Sequence, residues 1–222
     1  MPGLAPNDAR LELARAETEL MLQRERVAEL RRSLAPEASA DYTFLEGEAN
    51  LAAGGDVHIE RQLSSLFSAP DRTLVAMHFM FGGAQGAACP MCTMWADGYN
   101  AVQEHLRERV DFVVVASGDL DGFRSLGRRR GWKNLRLLSA EGSGFKADFG
   151  SEDAEGNASP AVSVFTLDAD GQPQHHYTGH AHLSDGHWRG LDLLSPVWNF
   201  LDLTPAGRGD WMPQLDYDER PR

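Results

Sequence analysis

Thr73-Leu74-Val75-Ala76-Met77-His78-Phe79-Met80-Phe81, then the Gly/Ala segment Gly82 to Ala88, then Cys89-Pro90-Met91-Cys92-Thr93-Met94-Trp95, is the stretch that decides the fold. Its first part is an almost unbroken apolar run of strand length, as expected of a strand covered on both faces. From Cys89 onward, Met94, Trp95, Tyr99, Val102 and Leu106 recur at helical spacing. The two cysteines therefore sit where a buried strand gives way, through a small-residue loop, to a helix.

Working outward, Val110 to Ala116 reads as a second buried strand, Leu120 to Arg130 as a helix stopped by Gly131, and Leu135 to Ser139 as a third strand. Strand and helix in alternation predict an α/β domain with parallel pairing. Gly142 to Gly156 is a loop with a short helix. Ala161 to Leu167 and Gln174 to Tyr177 flank the turn Asp168-Ala169-Asp170-Gly171, so an antiparallel hairpin closes a mixed sheet. Upstream, Tyr42 to Asp56, with Phe44, Leu45 and a Gly54-Gly55 turn, predicts a short antiparallel pair, and His58 to Phe67 a helix. Downstream of Asp185, Trp188, Leu191, Leu194, Trp198, Phe200 and Leu201 predict a helix interrupted at Pro196. The globular domain then spans 40–205, with an irregular tail over 206–222.

Ahead of it, residues 7–35 form a helical arm: Asn7 to Leu34 lack Gly and Pro, and Asn7 or Asp8 caps the start. Leu13, Leu20, Val27 and Leu34 recur every seven residues, with Ala16 and Leu30 on the adjoining seam, a narrow stripe along about 40 Å of helix. Such a stripe wants a partner, either its own domain or a second copy in a homodimer.

The chain has 222 residues, enough for one α/β domain with extra segments, and a formal charge of −12 from 21 Lys+Arg against 33 Asp+Glu. That charge repels nucleic acid and anionic bilayers. The N-terminal residues run straight into a charged segment, and no apolar run approaches the ~20 residues that span a bilayer, so a cytoplasmic protein is expected. Cys89 and Cys92 are the only cysteines, and in a reducing compartment their spacing favours redox or metal chemistry over a structural staple.

A thiol attacks as its thiolate, and the first turn of a helix offers that anion unpaired N–H groups and a positive dipole end. Cys89 is thereby the expected nucleophile. Pro90 suits the first helical position, where its missing N–H costs nothing. Cys92, one turn deeper, would resolve the mixed disulfide. The chemistry needs no cofactor beyond the dithiol, and two cysteines cannot complete a four-thiolate zinc site. The expected partner is a disulfide-containing protein or a small thiol.

The order strand, CxxC helix, strand, helix, proline and hairpin resembles the thioredoxin-like fold. The wording of His78-Phe79-Met80-Phe81-Gly82, Cys89-Pro90-Met91-Cys92-Thr93-Met94-Trp95-Ala96-Asp97, Gly131-Trp132, Gly142-Ser143-Gly144-Phe145 and Asp148-Phe149-Gly150 resembles a bacterial thioredoxin-like family that stands as a domain of unknown function. The resemblance covers roughly 40–205 and implies a thioredoxin-like fold with an oxidoreductase role but no defined substrate. It also implies a cis-proline opposite the dithiol, for which Pro160, ahead of the hairpin, is the candidate. His78 would occupy the strand position where thioredoxins carry a proton-relaying carboxylate; the alternative is a hydrogen-bonded core histidine. The chain departs from ordinary thioredoxins in its longer Gly82 to Ala88 loop, in lacking a Trp just before Cys89, and in its Pro-Met middle pair.

Cys89-Pro90 also resembles the peroxidatic Cys-Pro of peroxiredoxins, although Gly86 stands where those carry a hydroxyl residue; peroxide reduction is thus a second reading. A third is a non-enzymatic redox switch or metal clip. His175, His176, His180, His182 and His187 form a dense cluster, from which two imidazoles would complete a site with the dithiol. Trp95 would wall the site or fill the core, and Asp97 would cap or orient the site or be a solvated helix acid. Arg128-Arg129-Arg130 beside Lys133 would hold an anionic group or be a solvated helix end. Asp148-Phe149-Gly150 matches a kinase magnesium motif, without the phosphate loop and lysine that go with it.

Overall fold

The computed structural model describes residues 6–52, 57–82, 87–183, 189–207 and 209–217. The chain divides between Ala35 and Pro36 into two compact units. The first is helix α1 (Pro6–Arg32), with Asp8 in its first turn and Arg31 and Arg32 in its last, charges that suit the ends of the helix dipole. It ends ahead of Pro36, as the sequence predicts.

The second unit carries strands β1 (Glu37–Ala38), β2 (Thr43–Glu46), β3 (Ile59–Gln62), β4 (Thr73–His78), β5 (Val110–Ala116), β6 (Arg136–Ser139), β7 (Ala161–Leu167) and β8 (Pro173–His180), with helices α2 (Pro90–Leu106), α3 (Leu120–Arg130), α4 (Phe145–Asp148) and α5 (Val197–Asp202). They build one mixed sheet in the order β1-β8-β7-β4-β5-β6-β2-β3. β4, β5 and β6 are parallel, and β7 and β8 run antiparallel beside β4. Parallel strands joined by α2 and α3, then an antiparallel hairpin, give the thioredoxin-like fold the sequence predicts. No helix among the described residues is long and apolar enough to cross a membrane.

One expected element is different. Residues 58–67 are not a helix: β3 pairs with β2, and a 3-10 turn, Leu63–Leu66, buries Leu63 and Leu66. The segment's helical spacing of apolar residues serves that turn, while Arg61 is drawn to the neighbouring strand by Glu46 at 2.9 Å. The Gly54-Gly55 turn lies outside the described residues.

Because neighbouring residues of a strand face opposite ways, β4 divides the core in two. Met77 and Phe79 join Cys92, Trp95, Phe123 and Trp132 beneath α2 and α3. Leu74 and Ala76 join Phe44, Val113, Phe145 and Phe165 on the other face. Asp97 fastens the first side. It is no solvated acid: Trp132 Nε1 donates to it at 2.7 Å and Arg130 pairs with it, tying α2 to the end of α3. Arg130 also donates to the Leu215 carbonyl at 2.7 Å, and Trp211 and Leu215 pack against the same core. The segment after α5 has no helix or strand among the described residues, yet it belongs to the packed domain.

Candidate functional site

Cys89 is the N-cap residue of α2, in extended backbone conformation, with Pro90 opening the helix. Its backbone N–H donates to Met80 O at 3.1 Å, which holds the residue beyond β4 against the helix start. That arrangement rests on a tight crossing at Gly82, whose φ is 79° and whose added Cβ would lie 2.2 Å from Gly118 Cα; only glycine fits. The Cys89 carbonyl accepts from Thr93 Oγ1 at 2.9 Å, and the Cys92 N–H reaches Cys89 Sγ at 3.5 Å.

Both thiols are free, Cys89 partly exposed and Cys92 buried. The Cys89 pKa is drawn down to about 6, chiefly by a hydrogen bond from the Cys92 thiol, helped by the N–H groups of Cys92 and Met91 and opposed by burial. Cys92 is pushed well up, first by burial, then by donating to Cys89 and facing its charge. One thiol is thus held as an anion and its partner as a proton donor, an arrangement suited to attack by the first and delayed attack by the second.

The sequence reading passed over Lys146. It is buried on α4, its Nζ donates to Phe79 O at 2.8 Å, and burial lowers its pKa to about 8 while Glu152 and Cys92 draw it back up. Lys146 in turn pulls the Cys92 pKa down. A signal was available: Lys133 and Lys146 are the only lysines in a chain that otherwise uses arginine, and Lys146 stands between Phe145 and Ala147.

His78 is fully buried, but its ring faces away from the dithiol, on the side of the sheet opposite Met77 and Phe79, stacked on Phe145 with centroids 4.9 Å apart. This corrects the relay role. Ser151 Oγ donates to Lys146 O at 3.1 Å, so His78 Nδ1 donates to Ser151 Oγ at 2.7 Å and Nε2 accepts from Ser163 Oγ at 2.8 Å. Ser163 continues to Thr178 Oγ1, and Thr178 to His175 Nε2, each at 2.8 Å. Burial first, then the nearby Lys146, hold the imidazole neutral. His78→Ala leaves hydroxyls unpaired and a void behind Phe145, so it is expected to lower stability by about 2–4 kcal/mol in denaturant unfolding while leaving the pH profile of Cys89 alkylation unchanged. A shifted profile would restore His78 to the mechanism.

Pro160 is buried just ahead of β7, and the register His78↔Ala161 brings it to the same end of the sheet as the dithiol. Its peptide bond is trans, since no cis bond occurs among the described residues, which corrects the isomer implied by the resemblance. Trp95 is a core residue, fully buried and edge-on to Trp198. His175 packs on Phe149 and Phe165, and His180 lies over Gly150, on the face that holds His78; His187 lies outside the described residues. Neither His175 nor His180 joins the dithiol. No group of three or more His, Cys, Asp or Glu residues placed to hold a metal ion occurs among the described residues. Asp148-Phe149-Gly150 is structural as well: Asp148 accepts from Tyr42 Oη at 2.6 Å.

The family profile described as "Bacterial protein of unknown function (DUF899)" matches residues 6–219. The chain belongs to the DUF899 family. Membership spans the arm, the dithiol domain and nearly all of the tail. No curated protein matches the DUF899 chain. Solved structures similar to it include the mitochondrial 2-Cys peroxiredoxin from Plasmodium falciparum, with TM-score 0.49 and 11% identity over 77% of this chain and 95% of that one. Peroxidoxin BcpB from Mycobacterium tuberculosis has TM-score 0.48 and 17% identity over 72% and 93%. A peroxiredoxin-like protein from Aquifex aeolicus has TM-score 0.45 and 16% identity over 66% and 75%.

Proposed function

We propose that this DUF899 protein is a thiol-disulfide oxidoreductase in which Cys89 attacks and Cys92 resolves. The observation that carries the reading is the Cys89 sulfur at the cap of α2, hydrogen-bonded by Cys92 and lowered in pKa, with a protonated partner thiol one turn deeper. The Cys89 thiolate attacks one sulfur of a substrate disulfide; a Cys89–substrate bond forms, the substrate S–S bond breaks, and the other substrate sulfur leaves as a thiolate. Cys92 then attacks Cys89 Sγ, its proton passing to the departing substrate thiolate. The substrate gains two electrons and one proton from Cys92, its first released sulfur takes a proton from water, and the chain is left with a Cys89–Cys92 disulfide. Lys146 stabilises the Cys92 thiolate as it forms. Pro160 shapes the substrate-binding end of the sheet.

The test is equilibration in glutathione or dithiothreitol buffers, trapping free thiols by alkylation, and weighing the adducts. A reversible intramolecular disulfide with a potential of roughly −200 to −270 mV is the expected result. Thiols that stay free across the whole series would sink the reading. Peroxide consumed mole for mole by the reduced protein, with a sulfenic acid on Cys89 in Cys92→Ser, would replace it with peroxide reduction.

A further inference from the structure

A cavity of about 590 Å³ opens at the sheet edge where β2, β3 and β6 meet α3, with β5 and β6 between it and β4, the strand that leads to the dithiol. Its lining carries four cations, Arg61, Arg124, Lys133 and Arg136, against two carboxylates, Glu46 and Glu48, in a chain whose formal charge is −12. Glu46 is already committed: it pairs with Arg136 at 2.6 Å and with Arg61 at 2.9 Å, and against the effect of burial these cations hold its pKa down.

Arg124 is the unusual member. It is only 5% exposed, and among the described residues it makes no ion pair and its guanidinium has one acceptor, the Asn50 carbonyl at a long 3.3 Å. A guanidinium has five N–H donors in a fixed fork, and burying a cation without a counter-charge is unfavourable. Space is kept for it: a Cβ on Gly47 would stand 2.6 Å from Arg124 Cζ. The rest of the lining is apolar apart from Asn134, whose amide donates to the Asn100 carbonyl, and includes the buried Leu51, Leu135 and Leu137.

We propose that this cavity binds a small organic anion, its carboxylate or phosphate head held by Arg124 and Lys133 and its apolar body lying on Leu51, Leu135 and Leu137. The bidentate fork of arginine matches either oxyanion. The site is separate from the dithiol and does not depend on the redox reading.

The test is titration of the full-length protein with hexanoate, hexyl phosphate and hexanol, followed by amide NMR. One or both acids are expected to give saturable shifts centred on Gly47, Leu51 and Leu137, with Kd in the millimolar range or tighter, and hexanol none. The stronger acid identifies the head group. Arg124→Gln is expected to weaken binding about tenfold or more, and Lys133→Ala, an exposed change that leaves the fold intact, about threefold, with Cys89→Ser without effect. Absence of saturation by both acids, equal binding of hexanol, shifts centred elsewhere, or unchanged affinity in Lys133→Ala together with a folded Arg124→Gln would each overturn the proposal.

Discussion

Alkylation of the reduced protein by iodoacetamide is expected to follow a titration with its midpoint near pH 6, to fall on Cys89, and to vanish in Cys89→Ser together with all disulfide exchange. An ordinary thiol titrates near 8.5 and is about 3% thiolate at pH 7; with a pKa of about 6, Cys89 is about 90% thiolate there. The gain in attack at pH 7 is smaller than that ratio, since a thiolate loses nucleophilicity as its pKa falls, by about tenfold for a drop of this size. At pH 5 an ordinary thiol is nearly all protonated while Cys89 keeps about a tenth of its thiolate, so low pH separates the two cases best. A stable thiolate is also a good leaving group, which speeds the attack of Cys92 on the mixed disulfide. Cys92→Ser should keep the first attack and trap the substrate on Cys89. Cys92→Ala, which removes the donor that does most to lower the Cys89 pKa, should move the midpoint upward. A wild-type midpoint near 8.5 would remove Cys89 as an activated nucleophile.

The geometry behind that expectation was legible in the sequence wherever local signals and tertiary packing agreed. β5, α3 and β7 begin and end where the apolar runs and Gly131 place them, and α2 starts at Pro90 because Cys89 and Pro90 form a good helix opening. The sequence could not say which way His78 points. A strand buried on both faces is apolar at every position, so the alternation that tells one face from the other is absent, and only packing shows that Met77 and Phe79 share a side with Cys92. The segment 58–67 misled for a related reason: its apolar residues suit a helix, but pairing with β2 at the sheet edge supplies backbone hydrogen bonds that local propensity does not count. The sequence leaves Asp97 open between a site-orienting residue and a solvated acid because its partners, Arg130 and Trp132, are more than thirty residues away in the chain.

Lys146→Met is expected to change how stability depends on pH and to slow the second step of exchange. Lys146 is 2% exposed, and its pKa falls from 10.5 to about 8 on folding. Between those values the unfolded chain binds the proton and the folded one does not, so the wild type gains stability as pH rises from about 8 to 10.5. Below pH 8 both states carry the charge and the folded protein bears its full desolvation cost; above 10.5 neither does. A shift of this size amounts to about 3 kcal/mol across the window. The variant has no such group, so the difference between the two stability curves should close in that sense. Tyr42 and Tyr99, both raised in pKa and contributing in the opposite direction above pH 10, are common to both proteins and cancel in the difference. Urea unfolding at intervals from pH 7 to 10.5 measures it, and parallel curves would show that Lys146 is not a desolvated cation. The kinetic arm uses a substrate disulfide with a chromophoric thiol on each side: release of the first should be unchanged, because Cys89 draws its pKa from Cys92 and backbone N–H groups. Release of the second should slow about tenfold, because the Cys92 thiolate has lost its nearby cation. Equal slowing of both steps would mean that the substitution disturbs the site as a whole and that Lys146 holds no separate role in resolution.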